Sequence, residues 1–160
     1  MNLRTIRTSV KSFKGVVHRL EPVKEARGIS WWNDSAATHP EASIAALESL
    51  AHQKNVVLIA GGSDKKLDFA DWAKAVKRHV REVILLDGTA KEKIEAALAK
   101  AGVKPAAIVK SMTSAVLRAN VTARKGDVVL LSPGATSFGL FRNEFDRGDK
   151  FKKAVSRYAR

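Results

Sequence analysis

Three runs in this chain, NVVLIAGG (55–62), EVILLDG (82–88) and GDVVLLSPG (126–134), stay apolar through their centres until a turn residue stops them. A strand with one face in water would alternate apolar and polar side chains. An unbroken apolar run requires cover on both faces, as in a parallel sheet sandwiched between helices. The segments between the runs have helical spacing. HPEASIAALESLAHQ places Ile44, Leu47 and Ala51 on one face, and DFADWAKAVKRHV does the same with Phe69, Trp72, Ala73 and Val76. AKEKIEAALAKAG and MTSAVLRANVTA read as further helices, the second with an open end at Asn120–Thr122. GISWWND, behind a turn glycine, and AAIVK are shorter strands, and a last helix runs from FRNEF with Phe151, Val155 and Tyr158 at helical spacing. Before them, IRTSVKSFKGVVHRLEPV reads as a short helix, a turn at Gly15 and the start of a strand. The expected architecture is a three-layer α/β sandwich with a mostly parallel sheet, its strand order open.

The length of 160 residues suits one domain, and 45% hydrophobic residues can fill its core. No apolar run reaches about 18 residues, so no membrane span is expected. The basic N-terminus has no hydrophobic stretch of the secretory kind. The absence of cysteine excludes disulfides and thiolate metal sites and fits a cytoplasmic protein. The four histidines lack metal-ligand spacing. Lys and Arg total 29 against 16 acids, a net charge of +13 that suits an anionic ligand, a polyanionic partner or a solvated surface.

Ligands of an open parallel sheet bind beyond the carboxyl ends of its strands. Four such ends carry unusual residues: NDSAATHP, GGSDKK, DGTAKE and SPGATSFG. With parallel strands all four meet at one edge. Thr38 with Glu41 three residues on reads as a capping box, and Pro40 suits the first turn. Asp34 can accept a hydrogen bond from a ligand or hold its own turn. His39 reads as a polar surface or packing residue. Of Trp31 and Trp32, on opposite faces of a strand, at least one belongs to the core. AGGSDKKLDF lacks the GxxxxGK pattern of a phosphate loop, but Gly61 and Gly62 permit close backbone approach and Lys65 could neutralise a carboxylate. Ser132, Thr136 and Ser137 supply hydroxyls near the end of the last strand, without the GxSxG of a nucleophile elbow. Arg142 and Arg147 read as ion-pairing or solvated residues.

Four stretches in order, FKGVVHRLEPV, GISWWNDSAATHPEAS, LIAGGSDKKLDF and VVLLSPGATSFGLFRNEFDRGDKF, cover most of the chain. Together they resemble the C-terminal domain of the Mur ligase family, nearest its D-glutamate-adding branch. The resemblance implies a Rossmann-like domain over residues 1–160, with 1–14 as the closing segment of a preceding linker. It implies a three-domain cytoplasmic enzyme in which ATP phosphorylates the carboxylate of UDP-N-acetylmuramoyl-L-alanine and the amine of D-glutamate displaces phosphate. ATP and Mg2+ would be held mainly by a central domain this chain lacks, and the sugar substrate by an N-terminal one. The chain alone is then expected to bind no cofactor and to be inactive. Thr38, Lys65, Ser137, Glu144 and Phe145 would hold D-glutamate. His18, Arg19, Asn33 and Asp34 would face ATP. No catalytic residue or metal ligand is expected in the isolated chain, and neither a membrane nor a nucleic acid as partner. Two departures stand out. Ala36 and His39 replace the lysine and asparagine of the family's NDSKATNP, removing a positive contact. RNEFDRG reverses the aromatic–acidic order of KNFEERG at Glu144 and Phe145. The alternatives are a non-catalytic basic module binding RNA or another polyanion, resting on net charge, and a regulatory remnant of such a ligase.

Overall fold

The computed structural model describes residues 2, 5, 7, 8, 12, 13 and 15–160. The expected N-terminal helix and the linker segment 1–14 lie largely outside the described residues. Six strands form one sheet: β1 (Glu21–Ala26), β2 (Ile29–Asn33), β3 (Val56–Ala60), β4 (Val80–Leu86), β5 (Ala107–Val109) and β6 (Val128–Leu131). Their order is β1-β2-β6-β3-β4-β5. Only β1 is antiparallel to its neighbour. It joins β2 through Arg27 and Gly28, both at positive φ (53° and 71°), as a tight two-residue hairpin turn requires.

From residue 15 onward the helices are α1 (Pro40–Leu50), α2 (Ala70–His79), α3 (Lys91–Lys100), α4 (Met112–Thr122) and α5 (Glu144–Tyr158). The open end of the fourth helix resolves in favour of helix through Thr122. The second helix is shorter than its apolar spacing suggests, because Val80 already begins β4 and no loop intervenes.

The strands' period of two divides the core. Val56, Leu58, Val83, Leu85, Val128 and Leu130 pack on one side with α1, α2 and α3. Val57, Ile59, Ile84, Leu86, Val129 and Leu131 pack on the other with α4 and α5. Trp31 is buried there against Phe151, ring centroids 6.4 Å apart, while Trp32 reaches the first side. Trp72, wholly buried, donates from Nε1 to Ser43 Oγ (3.0 Å), which donates to the Ser132 carbonyl (3.0 Å). This relay fastens α1 and α2 to the carboxyl end of β6.

Strand β6 lies between β2 and β3, yet the chain leaves it toward α5 on one face and leaves both neighbours toward helices on the other. Such a reversal opens a crevice beyond the strand ends and is the usual ligand position in open α/β sheets. The sheet therefore brings NDSAATHP, SPGATSFG and GGSDKK side by side, with DGTAKE next in line.

Candidate functional site at the strand ends

Backbone hydrogen bonds lace these loops together. Gly134 N donates to the Ala37 carbonyl (2.9 Å), Gly61 N to Pro133 (2.9 Å), Ser63 N to Thr136 (2.8 Å) and Ala90 N to Gly62 (3.0 Å). The Thr136 hydroxyl returns a bond to the Ser63 carbonyl (3.1 Å), and Ser63 Oγ donates to the Phe138 carbonyl. So many backbone contacts demand glycine. A Cβ on Gly62 would overlap the Thr136 carbonyl oxygen, and one on Gly88 the Gly62 carbonyl.

Beneath the loops lies Arg147, with no exposed surface. Its Nε and Nη2 donate to Ser35 Oγ (3.0 Å) and the Ser35 carbonyl (2.8 Å), and its Nη1 to the Ala135 carbonyl (3.0 Å). Ser35 Oγ in turn donates to the Glu144 carbonyl (2.7 Å). Arg147 is thus not a solvated side chain, and it forms no ion pair among the described residues, which corrects the sequence reading. Helix phase turns it inward, and it ties the loops after β2 and β6 to the start of α5. Burial draws its pKa down to about 10, with Glu144 pulling the other way, so it stays charged at neutrality.

A second correction concerns Thr38. The N-cap of α1 is His39, without a side-chain cap, and the Thr38 hydroxyl lies 3.1 Å from His39 Nδ1. The turn enters the helix one residue later than the capping-box spacing implies. Thr38 is half-buried, its hydroxyl at the helix start. Ser137 is buried in the neighbouring loop (2% exposed). Lys65 is exposed at the end of the β3 loop, its Nζ 5.7 Å from the centroid of the Phe138 ring. Phe138, 55% exposed, was missed in the sequence, where its one signal is an aromatic residue inside a Ser/Gly loop. Beside it Ser63, Asp87, Thr89 and Leu140 line a cavity of about 260 Å³. Phe145 instead lies against His18 (centroids 5.5 Å apart), and Glu144 is half-buried at the head of α5.

The residues expected on the nucleotide side form a second group. Asn33, wholly buried, donates from Nδ2 to Glu21 Oε2 (2.8 Å) and meets His18 Nδ1 at 2.9 Å. His18, also buried, packs on Gly148 of α5. Burial would raise the pKa of Glu21, but bonds from the His18 and Asn33 amides, with Lys152 nearby, lower it overall. Asp34 accepts from Ser132 Oγ (2.8 Å) and from Leu20 N (3.2 Å). Arg19 is exposed, and with Asp34 and the small residues Ala37, Ala42 and Ala45 it borders a cavity of about 300 Å³.

Two predictions arise here. A Cβ on Gly148 would overlap His18 Nδ1 and come within 3.0 Å of Asn33 Nδ2. Gly148→Ala, which in an ordinary helix interior would stabilise by about 0.5–1 kcal/mol, should instead destabilise by about 1–3 kcal/mol in urea unfolding. A variant more stable than the parent would show that His18 does not pack there. For Asp34, burial raises the pKa above 3.8, and Ser132, Leu20 and the charge of Arg19 offset it only in part. An acid with a raised folded pKa adds stability below its unfolded pKa and loses it as pH rises through the folded value. The stability of the parent relative to Asp34→Asn should therefore fall as pH climbs from 3.8 through the weakly acid range. A pH-independent difference in urea midpoints would contradict this.

The paired glycine loops, the lysine beyond β3 and the hydroxyls beyond β2 and β6 lie along one edge of an α/β domain. Residues 18–134 match the Mur ligase, glutamate ligase domain, and the chain belongs to that family. It is 47% identical over 157 residues to UDP-N-acetylmuramoylalanine–D-glutamate ligase of Roseiflexus sp. (strain RS-1), which covers 96% of this chain and 33% of that protein. It is 44% identical over 152 residues to the ligase of the same name from Caldanaerobacter subterraneus subsp. tengcongensis, covering 94% and 33%. The chain thus spans about a third of the length of these curated relatives. Among solved structures, UDP-N-acetylmuramate-alanine ligase from Thermotoga maritima superposes with a TM-score of 0.68 at 19% identity, covering 99% of this chain and 34% of that one. The MurF ligase of the same organism, solved in complex with ADP, gives 0.58 at 18% identity, covering 97% and 37%. These two show the shared fold.

Proposed function

We propose that the chain is the amino-acid-binding domain of a cytoplasmic, ATP-dependent ligase that adds D-glutamate to UDP-N-acetylmuramoyl-L-alanine in peptidoglycan precursor synthesis. The observation that carries this reading is 47% identity, across nearly the whole chain, to a ligase named for that reaction. No helix among the described residues is long and apolar enough to cross a membrane.

ATP would supply the phosphoryl group that makes a carboxylate an electrophile. The cavity beside Arg19 and Asp34 fits part of such a group: its alanines leave room for a flat ring, Arg19 offers a cation and Asp34 a hydrogen-bond acceptor. His18 and Asn33 would support that wall from beneath. It does not fit the metal, since no cluster of three acidic or histidine side chains occurs among the described residues. Triphosphate and Mg2+ are therefore assigned to the central domain of the complete enzyme.

In this reading Lys65 neutralises the side-chain carboxylate of D-glutamate, while Thr38 and Ser137 orient it by hydrogen bonds. Phe138 shields the Lys65 charge from water on one side. Glu144 would close the pocket at the head of α5, while Phe145, expected there, packs instead on His18 of the nucleotide side. Orientation is the chemical contribution, because holding the amine in line with an acyl phosphate removes much of the entropic barrier.

The test joins this chain to the N-terminal and central domains of such a ligase and measures phosphate release with ATP and UDP-N-acetylmuramoyl-L-alanine. Release that requires D-glutamate over L-glutamate, lysine and diaminopimelate, with amide product, supports the proposal. A folded, assembled enzyme that makes no product with any of them refutes it. The chain alone serves as control and should release none. In the assembled enzyme Lys65→Ala should lower kcat/KM for D-glutamate about 10- to 100-fold, the value of a charged hydrogen bond of about 1.5–3 kcal/mol, with thermal stability unchanged. Unaltered D-glutamate kinetics would remove Lys65 from the site.

A further inference from the structure

Away from the loops that hold Lys65, Thr38 and Arg19, a cavity of about 380 Å³ opens between α4 and α5. Lys110, Lys150, Lys153 and Arg157 border it, and no acidic residue among the described ones does. Three of the cations follow one stripe of α5, at spacings of three and four residues, and Lys110 faces them from the turn before α4. Met112, Leu140 and Ala154 supply apolar wall, and Thr113 a hydroxyl.

What sets this cluster apart is that its cations share one cavity without a carboxylate, whereas the cavities beside Lys74, Lys104, Arg19 and Phe138 each have one. Several helical lysines elsewhere find carboxylates: Lys74 with Asp71, Lys91 with Asp87, Lys93 with Asp64, Lys152 with Glu21 and Asp149, while Lys77 and Lys100 have none among the described residues. Here Lys150 alone is paired, with Asp146 at 2.8 Å, while Lys110, Lys153 and Arg157 have no acidic partner among the described residues. Two of the cations are steadied by rings. Lys150 Nζ lies 5.3 Å from the Phe141 centroid and Arg157 Cζ 5.3 Å from that of Tyr158. A concavity of one sign with apolar walls focuses its field and concentrates counter-ions.

We infer that the α4–α5 cavity is a second anion site, taking a small ligand that carries two or more linked phosphoryl groups. The number of charges follows from energetics. A solvent-exposed ion pair contributes about 0–1 kcal/mol, so a single phosphate on one or two of these side chains would hardly be retained. A chain of phosphoryl groups can engage the three α5 cations and Lys110 together. The volume admits such a ligand, and its affinity must fall steeply with salt.

The test is a titration of the full chain with inorganic phosphate, pyrophosphate and tripolyphosphate, followed by amide chemical shifts at low and at moderate salt. The expected result is saturable binding that strengthens at least tenfold from phosphate to tripolyphosphate, with shifts confined to Lys110–Thr113, Leu140–Phe141 and Lys150–Tyr158. Lys153→Ala with Arg157→Ala, both exposed and so compatible with folding, should weaken tripolyphosphate at least tenfold, whereas Lys65→Ala should leave it unchanged. Four results overturn the inference. Equal weak binding of all three anions, with shifts spread over the basic surface, would mean an adventitious ion only. Binding lost in Lys65→Ala but kept in the double variant would place the phosphates in the strand-end cleft. Affinity for a single-stranded oligonucleotide that exceeds tripolyphosphate and grows with length would mean a nucleic-acid backbone. The absence of any saturable shift would leave only a solvated face.

Discussion

Gly62→Ala is expected to destabilise the domain by about 3–5 kcal/mol, a fall in Tm on the order of 10 °C for a chain of this size. Two terms add. Gly62 lies at φ 151°, where a side chain is strained, and its Cβ would overlap the Thr136 carbonyl oxygen while standing 3.1 Å from the carbonyl carbon. The neighbour is backbone held by the two Ser63–Thr136 bonds, so it cannot swing aside as a flexible side chain would. Relief requires the loops after β3 and β6 to separate, which breaks the bonds that set Lys65 and Ser137 in place. Gly126→Ala is the control. Gly126 also has positive φ (90°), but nothing lies within 4 Å of its Cβ position, so it should lose only about 1 kcal/mol, the backbone term. Thermal and urea unfolding of the two variants would check this. Equal losses would mean that the loops do not meet at Gly62.

Arg147→Met should cost a comparable amount, about 3–5 kcal/mol. The substitution keeps much of the volume and removes a buried charge that has no carboxylate partner, which taken alone would favour folding. It also strands the Ser35 and Ala135 carbonyls and the Ser35 hydroxyl, each at about 1–3 kcal/mol when buried without a donor. The second effect wins because three acceptors converge on one fork. Arg147→Lys separates the contributions. An ammonium keeps the charge but cannot reproduce the planar fork that reaches both loops, so it should fall between parent and Met. Urea midpoints at constant slope would rank the three. If Met matched the parent, the guanidinium would be a passive tenant, and the loop order would have to come from the backbone bonds.

The α5 segment also shows where sequence reading reached its limit. Arg142, Glu144, Asp146, Arg147 and Asp149 lie close together in a mixed-charge stretch, and such a stretch reads as solvated. Asp146 fulfils that reading, bonded to Lys150 at 2.8 Å. Arg147 does not, because the phase of α5, set by Phe151 and Val155 in the core, turns it and Gly148 inward together. Phe138 escaped for a related reason: a lone aromatic in a loop has no period to betray its neighbour, and Lys65 is brought to it from 73 residues away.

Strands β3, β4 and β6 were legible because an unbroken apolar run has no stable alternative to burial on both faces, and the helices between them because one apolar stripe must meet the sheet. From that much followed the gathering of four polar strand ends at one edge, and the order of motifs through those ends carried the family. Strand order, the cap of α1 at His39 in place of Thr38, the burial of Arg147 and the partner of Phe138 were decided only in three dimensions. Periodicity reports which face of an element is buried, a local quantity. Which elements become neighbours depends on contacts between residues far apart in the chain, and those are settled only when the whole core packs at once.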